Sequence, residues 1–108
     1  MATTYKVLGQ SNPSATTDTT LYTVPALTQT VVSTITVANL GSTGTFRVAV
    51  RPAGAAIANQ HYVVYDATLN ANDSITLTLG ITLEATDVIT VRGSNTSFAF
   101  QAFGSEIA

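Results

Sequence analysis

The chain has 108 residues, 45% of them hydrophobic and only 9% charged, with a net charge of −2. That length makes one domain, and its four cations, Lys6, Arg47, Arg51 and Arg92, cannot supply the roughly 6–10 phosphate contacts of a DNA-binding surface. Cysteine is absent, which excludes disulfides, thiolate catalysis and Cys-based zinc sites, and no apolar run approaches the roughly 20 residues of a membrane-spanning helix.

Thr, Val and Ile recur in alternation and no window carries a helical stripe, so the elements expected are strands with one buried face. The first ten residues, MATTYKVLGQ, lack the basic segment, apolar stretch and cleavage site of a secretory leader; a strand is expected over 4–9. The polar run QSNPSATTDTT at 10–20 reads as a long loop, or as an arm that orders on a neighbour. The chain thus divides into an N-terminal polar arm or first strand, 1–18, and a single β-sandwich domain, 19–108.

Strands are expected at 19–24, ending at Pro25, and then at 30–39 and 45–51. Between the latter two, the glycines of LGSTG (40–44) predict a hairpin loop. Along 45–51, Phe46, Val48 and Val50 alternate with Thr45, Arg47, Ala49 and Arg51. RPAGAAIANQ (51–60) opens with a strand-ending proline and reads as a longer, flexible connection. In the next strand, 61–66, Tyr62 and Tyr65 are three apart, so alternation puts them on opposite faces. LNANDS (69–74) suits an Asx-type turn before a strand at 74–80, in which Ile75, Leu77 and Leu79 alternate with threonines. Strands at 87–92 and 97–103 follow; the last sets Phe98 and Phe100 against Ala99, Gln101 and Phe103. The tail FGSEIA leaves Ile107 free to pack on the domain or on a partner. Eight short strands at this spacing predict an all-β, antiparallel β-sandwich, jelly-roll-like or immunoglobulin-like.

Little in the chain points to catalysis. The lone histidine, His61, has no G-x-S-x-G serine or other triad partner and reads as a hydrogen-bonded structural residue. Six scattered acids nominate no glycosidase pair; Asp73 and Asp87 each precede a strand, where turn-capping is the ordinary role. NANDS lacks the ligand spacing of a calcium loop. No catalytic residue, metal or cofactor is assigned, and no enzyme is expected. A low-charge surface loses little on being covered, because few ions must be desolvated. The contact residues expected are Tyr62 or Tyr65, with Arg47 and Arg51 and with the N-terminal arm.

Seven stretches carry a resemblance: YKVLGQ (5–10), TTLYTVP (19–25), VVSTITVAN (31–39), TFRVAVRPAG (45–54), QHYVVYD (60–66), LTLGITLEATDVITV (77–91) and FGSEI (103–107). Together they make the chain similar to a family of small virion proteins encoded by tailed phages of cyanobacteria and other aquatic bacteria. The resemblance implies a capsid decoration, or cement, protein on the outside of the shell. It would be made in the host cytoplasm, often trimeric, and would clamp neighbouring major capsid subunits. A tail or baseplate component is the close rival, because such β-sandwiches are reused throughout tailed phages, and a carbohydrate-binding receptor tip is the alternative of a different class. Neither nucleic acid nor membrane is expected as a partner.

Overall fold

A computed structural model describes residues 2–108. Nine strands form among them: β1 (Thr3–Ser11), β2 (Thr19–Thr23), β3 (Gln29–Asn39), β4 (Gly44–Arg51), β5 (Tyr62–Leu69), β6 (Ser74–Leu77), β7 (Ile81–Leu83), β8 (Val88–Gly93) and β9 (Phe98–Ile107). The first sheet runs β1-β9-β3-β6, with β7 continuing the β6 edge further along β3; the second runs β2-β8-β4-β5. All ladders between these strands are antiparallel. Taking β6 and β7 as one interrupted strand, this is the strand order of a jelly roll, two Greek keys wrapped into facing sheets.

The inner faces follow the alternation. Val37, Val48, Ile89, Val91, Phe98, Phe100 and Ala102 have no exposed surface, and Phe46 is 1% exposed. Phe46 from the second sheet meets Phe98 and Phe100 from the first at ring-centroid distances of 6.1 and 6.2 Å, tilted and edge-on, as aromatic quadrupoles prefer. Where β1 and β2 close one side of the sandwich, Gly9 lies so close to the Leu21 carbonyl that a β-carbon would collide with it.

Several sequence-based expectations are corrected. LGSTG is no hairpin: β3 and β4 belong to different sheets, so these residues carry the chain from one layer to the other. The corner is built on Asn39, 1% exposed. Its amide nitrogen donates to the carbonyls of Ser42 (2.8 Å) and Leu69 (3.0 Å), and its oxygen accepts from the Gly41 N–H. The strand expected at 74–80 ends at Leu77 as β6, and after a break containing Gly80, at φ +62°, the unexpected short strand β7 continues along β3. The tail joins β9, where Ile107 pairs with both Thr3 and Gln29. Connection 52–61 is tied down: Ala53 N–H donates to Asp87 (2.9 Å), and Arg51 donates to the Ala55 carbonyl (3.0 Å) and to Thr90 (3.0 Å). Asp87 also accepts from the Glu84 N–H, the capping role expected of it. His61 accepts from the Ala58 N–H through Nδ1 at 3.1 Å.

Residues 3–11 are a full strand of the first sheet, and the stretch after them lies on the domain's own surface. Pro13 is buried, Asn12 donates to the carbonyls of Thr96 and Phe98, and Ala15 bridges to Gly93. Removing residues 1–18 therefore removes a sheet strand rather than a loose tail.

A polar clasp joins the two sheets at one end of the sandwich. The Tyr22 hydroxyl donates to Glu106 at 2.6 Å and lies 2.8 Å from the Thr30 hydroxyl; Lys6 pairs with the other Glu106 oxygen at 3.2 Å. Burial, and then the neighbouring carboxylate, push the Tyr22 phenol up to about 12. The Tyr22 hydrogen bond, aided by Lys6, outweighs desolvation and holds Glu106 below the usual carboxylate range. A lowered folded value means the Glu106 contribution is present above the unfolded glutamate range and disappears as pH falls through the lowered value. The raised Tyr22 value has the opposite sense: its contribution is complete below about pH 10 and is lost as pH climbs through about 12.

Two predictions follow from these buried polar groups. Tyr22→Phe should lower unfolding free energy at neutral pH by roughly 1–3 kcal/mol, the cost of stranding the partners of a buried hydroxyl. Its deficit should shrink in acid, and the phenolate absorbance step that disappears should be one near pH 12; loss of a step in the ordinary tyrosine range instead would refute the clasp. Asn39→Ala should cost a similar amount, roughly 1–3 kcal/mol, by leaving two carbonyls and an N–H unpaired at the corner, measured by urea unfolding.

Candidate functional site

The outer face of the second sheet concentrates the chain's cationic chemistry. By alternation with buried Phe46 and Val48, Arg47 and Arg51 point outward from β4. Arg92 of β8 stands directly opposite Arg47. Two like charges on adjacent strands repel, and each is answered by an acid on its far side. Arg47 makes a bidentate pair with Asp66, at 2.7 and 3.2 Å. Arg92 lies 3.7 Å from Asp18. The result is a row across the sheet, Asp18–Arg92–Arg47–Asp66, with acids at its ends and arginines in its middle. The Arg47 hydrogen bonds hold the Asp66 carboxyl below its ordinary range, and the same pairing raises Arg47 further. Thr16, Thr45, Gly93 and Ser94 line a shallow depression around this row.

Tyr62 and Tyr65 do not lie on opposite faces. Their rings meet edge to face, with centroids 4.8 Å apart, and the Arg47 guanidinium sits 4.2 Å from the Tyr65 ring centre and 5.8 Å from that of Tyr62. The cause lies in the ladder between β4 and β5. Phe46 pairs with Ala67, Val48 with Val64 and Ala49 with Tyr62, so β5 carries one extra residue in each of two successive steps. Each bulge reverses the parity of the strand. The first turns on Asp66, a non-glycine residue at φ +52°, which swings its carboxylate outward to Arg47. The second moves Tyr62 from the side of Val64 to the side of Ala49 and Arg47.

Three of the four expected contact residues, Arg47, Tyr62 and Tyr65, therefore form one cluster. Arg51 shares their face, but its guanidinium is committed to Thr90 and to the carbonyls of Gly54 and Ala55. Beneath this connection the outward-pointing Ala49 and Thr90 are buried, so the loop packs part of the face and leaves the cluster as its open part. Asp66, Arg92 and Asn59 were missed by sequence reading. Cross-strand register alone brings Arg92 opposite Arg47, and a left-handed residue delivers Asp66. Asn59, on a short 3₁₀ turn before β5, lines a surface concavity with Tyr62 and Tyr65. Tyr65 is 57% exposed.

A planar cation held against two aromatic rings and fixed by a bidentate carboxylate offers a preorganised, amphipathic contact surface. Among the described residues, no three His, Cys, Asp or Glu side chains are placed to share a metal ion. Asp66→Asn should separate charge from backbone, because asparagine tolerates the left-handed conformation. Asp66→Val should lower the melting temperature more than Asp66→Asn does, since a β-branched residue is strained there; equal melting temperatures would contradict the bulge. No family model, curated protein or solved structure matches this chain.

Proposed function

We propose that this protein is a structural component of a phage virion, a capsid decoration protein that bridges major capsid subunits on the shell exterior through its Arg47–Tyr62–Tyr65 face. The observation that carries the reading is this cluster: an exposed Tyr65, a half-buried Tyr62 and an arginine, the residue types that dominate binding hot spots, with the arginine fixed by an ion pair to Asp66. The family resemblance and the scarcity of charge, 9% of residues, point the same way. The mechanism is linkage. A protein that binds only the assembled lattice stabilises that lattice by its own binding free energy. Many copies on one shell make modest individual contacts sufficient.

The concavity lined by Asn59, Tyr62 and Tyr65 supports a second reading, a carbohydrate-binding tip, because aromatic rings beside an amide can stack and hydrogen-bond a sugar. A glycan array separates the two. The primary test adds purified protein to particles lacking it and measures occupancy and resistance to heat and salt. Wild type should bind in hundreds of copies per particle, as expected of a shell rather than a tail component. Tyr65→Ala should weaken binding roughly 30-fold, a hot-spot loss of about 2 kcal/mol, while leaving melting temperature unchanged. Failure of the wild type to bind particles, or full occupancy by Tyr65→Ala, overturns the proposal.

A further inference from the structure

The two outer faces of the sandwich differ in charge. Three of the four cations, with Asp18 and Asp66, sit on the outer side of the second sheet. Lys6 and Glu106 pair with each other at the inner face of the first sheet. Asp73, Glu84 and Asp87 are in turns. That accounts for all ten charged side chains, and none occupies an outward position on the strands of the first sheet. Glu84, just past β7, borders this face at a corner with Gln29, Thr82 and Ile107.

The outward positions can be read from register. Leu8, Phe100, Val32 and Ile35 point inward, so Tyr5, Val7, Phe103, Val31 and Thr34 point outward; the bulge after Val32 keeps Val31 and Thr34 on the same side. Val7, Phe103 and Thr34 are cross-strand neighbours in one row, and Tyr5, Ser105 and Val31 in the next. The apolar members are therefore contiguous. They are also open: Tyr5 is 83%, Val7 48% and Val31 37% exposed. A solvated antiparallel sheet ordinarily turns polar residues outward.

We infer that this uncharged face is a self-association surface, packing against the same face of a second copy about a two-fold axis. Two observations favour a second copy. In a two-fold contact the same patch is presented by both copies, so any net charge it carries meets the same net charge; the outer face of the first sheet carries none, whereas that of the second sets three arginines against two aspartates. The size also fits. Four strands about 4.8 Å apart and about 30 Å long cover roughly 600 Å² before side-chain relief is counted, near the ~800 Å² per partner of a stable interface. The pair would leave the Arg47–Tyr62–Tyr65 clusters on its two outer sides, free for a different partner. The inference does not rest on the virion reading.

Sedimentation equilibrium of the purified chain at micromolar concentration tests it. The expected mass is twice the 11.2 kDa of one chain. Val31→Lys and Thr34→Lys each place a charge on both sides of the contact and should weaken the pair roughly 100-fold or more. Tyr5→Ser, at a position too exposed to affect folding, should weaken it to a lesser degree. Tyr65→Ala, on the other sheet, should leave the mass unchanged. Circular dichroism of each variant establishes that the fold is retained. A wild-type monomer or trimer, a pair indifferent to Val31→Lys and Tyr5→Ser, or a pair dissolved by Tyr65→Ala would each overturn the inference. Particle binding is a separate readout, so either proposal can fail alone.

Discussion

Phe46 reaches from β4 across the space between the sheets to Phe98 and Phe100 of β9, and the rest of the molecule depends on that contact. Neither sheet can shield its apolar side alone; each is the other's solvent-free surface. The phenylalanines fill the gap, and Val37, Val48, Ile89 and Val91 complete the layer. The strands that deliver the rings are also central ones. β9 lies between β1 and β3, and β4 lies between β8 and β5. Packing Phe46 on β9 therefore positions both sheets at once. Most of these pairings join distant parts of the chain, β1 with β9 and β2 with β8, so loop closure must precede much of the stabilisation.

Around that core, polar groups are used where the layers must be tied rather than merely stacked. Asn39 organises the corner between β3 and β4, Asp87 fastens the connection after β4, and Tyr22 with Glu106, Thr30 and Lys6 joins the sheets at one end. Among the described residues no buried side-chain nitrogen or oxygen lacks a hydrogen-bond partner, which is the condition for a buried polar group to be tolerated. With so few charges in the chain, most are placed in pairs or in turns, and Arg51 is held by Thr90 and by the Gly54 and Ala55 carbonyls. The exterior consequently has two unlike sides, a second sheet bearing arginines and tyrosines and a first sheet bearing threonine, valine and aromatic side chains without charge.

The site shows how much can follow from small departures in a ladder. A regular β5 would direct Tyr62 inward with Val64 and leave Tyr65 alone beside Arg47. Two extra residues and one left-handed aspartate gather both rings and a carboxylate around the guanidinium. A left-handed non-glycine residue costs about 1–2 kcal/mol, so this arrangement is maintained against local preference. Bulges at binding sites commonly re-aim side chains in this way.

Composition and alternation were enough to establish an all-β sandwich, most strand positions, the inward Phe46, Phe98 and Phe100, and the nomination of Arg47, Tyr62 and Tyr65. These are local properties: side-chain size, β-propensity and a period of two act within a few residues. Strand partners, the crossover at LGSTG, the break at Gly80 with the extra strand β7 beyond it, and the meeting of Tyr62 with Tyr65 were decided only in three dimensions. The same applies to Asp66 and Arg92, which no local pattern marks as members of the site. Register depends on which distant strand supplies the opposing hydrogen bonds, and a single bulge inverts every face beyond it, so no reading of neighbours along the chain contains that information.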